Sequence, residues 1–215
     1  MIVAIDGPAG AGKSTVARLV ADRLGLEILD TGAMYRAVAL AALRSSVSPE
    51  NDSAIDQLMD EIEIGFGPGR PPEILLNGEE VGSLIRTLEV SQLASRLSTF
   101  SPVRRQLVAA QQRIIREGNW VLEGRDVTTV VAPGADVKVF LTASIEERAR
   151  RRWVDLAVHP SAPSLQEVVK EVVERDHRDY TRADSPLMLA EDAVIVETFA
   201  LTPIEVADRI AALAK

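Results

Sequence analysis

MIVAIDGPAGAGKST, residues 1–15, reads as a buried strand, a glycine-rich turn and the first turn of a helix. Ile2 to Ile5 is a short apolar run with β-branched side chains, as suits a strand covered on both faces in a parallel sheet. Gly7-Pro8-Ala9-Gly10-Ala11-Gly12-Lys13-Ser14 then matches G-x-x-x-x-G-K-[ST] at every fixed position, with Thr15 following. The spacing has a chemical reason. Glycines let the backbone curl until successive N–H groups point at phosphate oxygens. The helix that follows turns its positive dipole end and its unpaired N–H groups to the same anion. Lys13 is then within reach of the β- and γ-phosphates, and the Ser14 hydroxyl is a ligand for Mg²⁺. The motif specifies a nucleoside triphosphate and Mg²⁺. It is silent on what receives the phosphate.

The bulk properties bound the rest. A chain of 215 residues with 47% apolar content makes one α/β domain with room for an inserted subdomain. There is no cysteine, which suits a cytoplasmic protein. The chain runs straight into its first strand, so no leader segment is expected, and no apolar stretch approaches the ~18 residues of a membrane span. A net charge of −8 and a pI near 4.9 argue against broad binding to nucleic acid or anionic membranes. The basic residues are lopsided, 4 Lys to 20 Arg. Base composition is one reading of that excess; recognition of phosphate by planar, bidentate guanidinium groups is the other. Nothing reads as a long exposed apolar face, so a monomer is expected.

Along the chain, strands alternate with helices. Five apolar runs, at 2–6, 26–29, 120–123, 137–141 and 193–196, predict a five-stranded parallel sheet covered on both faces. Helices are expected over Lys13 to Leu24, from about Thr31 to Arg44, over Ile85 to Leu97, and from an N-cap at Ser101 with Pro102 at N1 to about Arg116. Ser144-x-x-Glu147, Ser164-x-x-Glu167 and Thr202-Pro203-x-Glu205 mark three more helix starts. Residues 45 to 56 read as a polar loop. Between about 60 and 90 the texture changes to short alternating strands at 62–66 and 73–76, with Asn77-Gly78 as a hairpin turn. That is an inserted antiparallel subdomain. The GTPase motif N-K-x-D is absent, and Leu122-Glu123-Gly124 is a poor match to the strand end of a motor-type ATPase. Small kinases remain.

Five stretches carry a more specific likeness: I-D-G-P-A-G-A-G-K-S-T, L-D-T-G-A-M-Y-R at 29–36, I-R-T-x-E-V at 85–90, E-G-R-D-V-T-T-V-V at 123–131, and E-R-D-x-R-D-x-x-R at 174–182. In this order they resemble the cytidylate kinase family over essentially the whole chain. The resemblance implies an adenylate kinase-like P-loop NTPase fold in three layers. It implies a core of 1–56, 96–149 and 164–215, a nucleotide monophosphate-binding insertion at about 57–95, and a short lid at about 150–163 that closes over ATP. It also implies ATP and Mg²⁺ as cofactors and CMP or dCMP as substrate. Residue roles follow from the same likeness. Gly7 to Thr15 and Arg148 would hold ATP. Lys13, Arg125, Arg152 and Arg182 would be catalytic, with Arg36, Arg125 and Arg182 clamping phosphate. Arg104 and Asp126 would read the cytosine ring, helped by Thr31, with Tyr35 beside them. An acidic side chain accepts from the N4 amino group of cytosine and is mismatched to O4 of uracil. Ser95, Arg175 and Asp179 would contact the pentose, although a plain i,i+4 helix pair also accounts for the last two. Arg148 and Arg152 share a helix face as lid arginines, whereas Arg150 and Arg151 would face elsewhere. His159 and His177 are incidental surface residues in this reading.

The chain departs from the D-G-R-D-I-G-T-V-V expected of that family: Glu123 stands for Asp and Thr128 for Gly, and Thr31 stands for Ser. A threonine in a glycine-only conformation would move the loop after Asp126. Other acceptors (UMP, AMP or shikimate), a non-catalytic ATP-binding module and an RNA-associated NTPase are the alternatives.

Overall fold

The computed structural model describes residues 1–69, 71–157 and 162–214. In chain order the first elements are β1 (Ile2–Asp6), α1 (Lys13–Leu24), β2 (Glu27–Asp30), α2 (Thr31–Arg44), α3 (Asp52–Glu61), β3 (Ile64–Phe66), β4 (Ile74–Leu76) and β5 (Glu79–Glu80). A 3₁₀ turn at Leu84–Arg86 leads to α4 (Leu88–Leu97), then α5 (Ser101–Ile114) and β6 (Trp120–Glu123). A π-helical turn at Val127–Val131 precedes β7 (Val137–Thr142), α6 (Ile145–Leu156), α7 (Leu165–Thr181), β8 (Val194–Glu197) and α8 (Pro203–Leu213).

The main sheet has the order β2-β6-β1-β7-β8, and every pairing in it is parallel. All five strands lie within one residue of the expected runs. Side chains of β1 alternate between two cores. Val3 and Ile5 join Val16, Val20, Val206 and Ile210 of α1 and α8. Ala4 joins Met34, Val38, Leu93, Leu97 and Leu107 of α2, α4 and α5. The result is three layers, the expected architecture. The insertion is a three-stranded antiparallel sheet, β3-β4-β5, whose last turn holds Asn77 and Gly78 at φ 50 and 81. Positive φ at both positions matches the twist of a tight hairpin.

Several expectations need correction. Residues 45 to 56 are not all loop: α3 begins at Asp52, where the Asn51 side chain accepts from the Ala54 amide. Its apolar positions, Ile55, Leu58 and Met59, are buried, which the polar texture around them hid. Ser101 is the first residue of α5 and not its cap; Phe100 holds that place without a side-chain hydrogen bond. The expected helix from Ile85 is split, because Thr87 caps α4 by accepting from the Val90 amide. Large apolar side chains are exposed on the edge strand β8, at Val194 and Ile195, and at Met188 and Leu189 before it. Thr128 is not forced into a glycine conformation, since Ser46, Asn77 and Ser185 are the non-glycine residues with positive φ among those described. Of the expected lid, residues 150–157 belong to α6 and the turn after it, whereas His159 and Pro160 lie outside the described residues. His177 is exposed, as expected.

Candidate active site

The parallel strands end in a row of acids. Asp6 closes β1, Asp30 closes β2 and Glu123 closes β6, and the register sets Glu123 between Ile5 and Asp30. Ligands bind at this carboxyl edge in open α/β sheets. The glycine-rich loop leaves β1 here. A Cβ on Gly7 would lie 2.1 Å from the Leu141 carbonyl oxygen, and one on Gly10 would lie 2.6 Å from that of Arg148. The loop is therefore wedged between β7 and α6, with no room for side chains at those glycines.

Lys13 is buried and folds back, donating to the carbonyl oxygens of Gly7 at 2.8 Å and Pro8 at 2.9 Å. Burial first, and the Arg125 charge second, pull its pKa down to about 7. The Ser14 hydroxyl donates to the Glu123 carboxylate. Burial, then the nearby Asp30 charge, push the Glu123 carboxyl up.

A cleft of about 890 Å³ opens from this loop. Ala9 to Thr15 line it, with Thr31, Tyr35 and Arg36 of α2, Ser95 of α4 and Arg104 of α5. Arg125 and Asp126 enter after β6, Arg152 from α6, Arg175 and Asp179 from α7, and Arg182 just beyond α7. Charges alternate along its floor. Arg104 donates to Asp126; Arg182 lies 3.6 Å from Asp126 and 3.4 Å from Asp179; Arg125 donates to Asp179 at 2.8 Å. Burial opposes ionisation of Asp179, yet Arg125, Arg175 and Arg182 together hold its carboxyl below the ordinary range. The i,i+4 pairing of Arg175 with Asp179 is absent: Arg175 forms no ion pair with another described residue, and burial, then Arg125, bring its pKa down to about 9.

Buried polar atoms without hydrogen-bond partners converge on this space. They are the Tyr35 hydroxyl, Nε of Arg36, Arg104, Arg152 and Arg175, and Nη2 of Arg182; the remaining one among the described residues, Gln111 Nε2, belongs to a residue that does not line the cleft. Buried donors are almost always satisfied, and an orphan costs about 1–3 kcal/mol. Arginines that line one cleft with donor capacity to spare suit a site for polyanions.

The family model described as cytidylate kinase matches residues 3–215. The chain belongs to the cytidylate kinase family. It is 50% identical to the cytidylate kinase of Carboxydothermus hydrogenoformans over 202 residues, covering 94% of this chain and 91% of that protein. It is 46% identical to those of Geobacter sulfurreducens, over 100% of this chain and 93% of that one, and Listeria innocua, over 99% and 95%. Among solved structures, an uncharacterized protein from Eubacterium ventriosum superposes with a TM-score of 0.53 at 10% identity, covering 99% of this chain and 96% of that one, a likeness of fold alone.

Set against what family membership led us to expect, three residues sit elsewhere. Gly7 and Pro8 lie behind the cleft lining. Arg148 does not face it either: its guanidinium donates to the carbonyls of Ala143 and Ala9, each at 3.0 Å, and to Asp176 at 2.6 Å, while the Ala9 amide donates to the other Asp176 oxygen. It braces the phosphate loop against α6 and α7. Arg150 and Arg151, expected to face away, do line the cleft, and Arg151 donates to the Thr198 hydroxyl and carbonyl. Helix spacing identifies a shared face but not which face meets the loop; the Gly10–Arg148 contact decides that. Thr31 lines the cleft with its hydroxyl donated to the Glu123 carbonyl, and the Ser95 hydroxyl accepts from Arg178. Replacing Arg148 by Met should therefore lower the melting temperature by several degrees, measured by calorimetry, since it leaves Asp176 buried without its cation.

Glu123, Asp30, Arg86 and Phe199 also line the site and were missed in the sequence. An acid ending an apolar strand was the available signal for Glu123 and Asp30. Asp30 also caps α2 and accepts from Arg36 at 2.9 Å. Phe199, 67% exposed in a loop after β8, carried no signal.

Proposed function

We propose that the chain phosphorylates CMP and dCMP to the diphosphates by direct in-line transfer from ATP. The observation that supports this is the arginine lining of the cleft that opens from the phosphate loop, Arg36, Arg125, Arg152, Arg175 and Arg182, beside a buried Arg104–Asp126 pair suited to a cytosine edge. No general base is required. A phosphate monoester has a second pKa near ~6, so its attacking oxygen is already anionic at neutral pH. What remains is positioning and charge neutralisation. Lys13 would leave the loop carbonyls for the β- and γ-phosphates. Arg36, Arg125 and Arg182 would clamp the acceptor phosphate, Arg152 would neutralise the transferring group, and Ser95, Arg175 and Asp179 would meet the pentose. Arg150 and Arg151 join the donor side in place of Arg148.

The donor set fits Mg²⁺: a hydroxyl, Ser14, with Glu123 and Asp30 close by, matches an ion that takes few protein oxygens and several from substrate phosphates. When bound, Mg²⁺ would neutralise triphosphate charge. In this reading the enzyme works as a monomer in the cytoplasm, where ATP and CMP are made and used. No described helix is long and apolar enough to cross a membrane.

The test is a coupled ADP-release assay offering CMP, dCMP, UMP, AMP, GMP and shikimate in parallel. Strong turnover with CMP and dCMP and little with UMP is the expected result; preference for another acceptor overturns the reading. In the same assay Arg152→Ala should cost about 10²–10³ in kcat, part of what an arginine contributes to phosphoryl transfer, with KM for CMP within about threefold. An unchanged kcat would remove Arg152 from the catalytic set.

A further inference from the structure

We infer that Thr128 is a positioning residue for substrate selection, tying the loop that carries Arg125 and Asp126 to the root of the phosphate loop. The tie runs through one carboxylate. Asp6, fully buried at the end of β1, accepts from the Val127 amide at 3.0 Å on Oδ1; on Oδ2 it accepts from the Thr128 amide at 2.8 Å and the Thr128 hydroxyl at 2.6 Å. Asp6 immediately precedes Gly7. The same three donors therefore register Asp126, two residues before Thr128, against the loop that holds the triphosphate.

The surroundings make this contact consequential. A Cβ on Gly124 would meet the Thr31 hydroxyl and a Val127 methyl, each at 2.7 Å, so the corner between β6 and the π turn has no slack. The Asp126 carbonyl accepts from the Val130 and Val131 amides, which locks its backbone into that turn. The Asp126 carboxylate meanwhile reaches across to Arg104 and Arg182. With its backbone fixed on one side and its charge on the other, Asp126 is set by where the turn sits, and the turn is hung on Asp6. Two of the three donors are backbone amides that any residue supplies. The third is the hydroxyl, and it is the part that depends on the residue at 128. Thr128 is 1% exposed and lines no part of the cleft, so it acts through Asp126 and not by touching substrate.

This inference rests on the reading of Asp126 as the cytosine-facing acid. Discrimination is sensitive to such placement, because a misplaced acceptor loses the amino group of the correct base while rejecting the wrong one less. The experiment compares the parent with Thr128→Val, which keeps the shape and removes the hydroxyl, Thr128→Ser, which keeps the hydroxyl, and Thr128→Ala as a second deletion. kcat and KM are measured with CMP and UMP, and KM with ATP. For Thr128→Val we expect KM for CMP to rise about three- to tenfold and the CMP-to-UMP ratio of kcat/KM to fall by a similar factor. KM for ATP should stay within about twofold, and Thr128→Ser should behave as the parent. Kinetics equal to the parent's in Thr128→Val and Thr128→Ala, with only a lower melting temperature, would overturn the inference. So would failure of both to fold, which would make the hydroxyl a requirement of the fold, and so would failure of Thr128→Ser to restore selectivity. If the parent itself does not turn over CMP, the reading of the function fails instead, and the two failures are distinguishable.

Discussion

Replacing Lys13 by methionine is expected to lower turnover of CMP by at least about 10³-fold, because on the proposed reading it removes the loop amine that meets the β- and γ-phosphates. The fold should survive. Methionine fills the buried stem, and what is lost is a pair of hydrogen bonds to the Gly7 and Pro8 carbonyls, so stability in the absence of nucleotide should stay within about 1–2 kcal/mol of the parent near neutral pH. The pH dependence carries a sharper signature. Lys13 has a pKa of about 7 in the folded chain against 10.5 for an ordinary lysine. Between those values the unfolded chain binds the extra proton and the folded chain does not, so the parent's stability should rise relative to the variant from pH 7 to pH 10. Below pH 7 the difference should be flat. Urea unfolding of both proteins at pH 6, 7, 8.5 and 10 checks it. Parallel stability curves would mean that Lys13 keeps its charge in the folded state, and that ATP finds the cation already ionised.

The second large effect concerns the Arg104–Asp126 pair, whose side chains are 2% and 8% exposed. Asp126→Leu leaves Arg104 buried with the Ser98 carbonyl, at 3.2 Å, the Tyr35 ring, 5.4 Å away, and, through charge alone, the Asp179 carboxylate as the groups that offset its charge. Breaking one side of a buried pair costs about 3–5 kcal/mol, which for a domain of this size lowers the melting temperature by roughly 10 °C. Combining it with Arg104→Met removes both charges and should return most of that stability. Activity should not return. On the proposed reading the double variant has neither the acceptor for the cytosine amino group nor the guanidinium beside it, so KM for CMP should stay at least about 100-fold above the parent's. Calorimetry and the kinase assay on the same three proteins separate the two roles. Recovery of CMP selectivity along with stability would show that the pair serves the fold alone.

Much of this molecule was legible in its sequence. The glycine spacing of residues 7–14, the five apolar runs, the Asn77-Gly78 turn and the capping boxes at Ser164 and Thr202 are local signals. Each is decided by atoms within a few residues, so it can be read without knowing the rest of the chain. The five motifs carried the family for the same reason. Where local texture misled, a second local feature had won: the apolar positions of α3, spaced along one face, outweighed the polar residues around them.

What only the tertiary structure decided was the choice of partners. The strand order β2-β6-β1-β7-β8 brings Asp6 beside residues 123–128, and so pairs Ser14 with Glu123 and Asp6 with Thr128, contacts that span more than 100 residues of chain. It also turned Arg148, read as a lid arginine, inward to brace the loop, and brought Arg151, read as facing elsewhere, to the cleft. A run of arginines announces phosphate chemistry, but the partner each one takes depends on which carboxylate or carbonyl the packed sheet sets within about 3 Å of it, and that distance is a property of the assembled layers and not of the run.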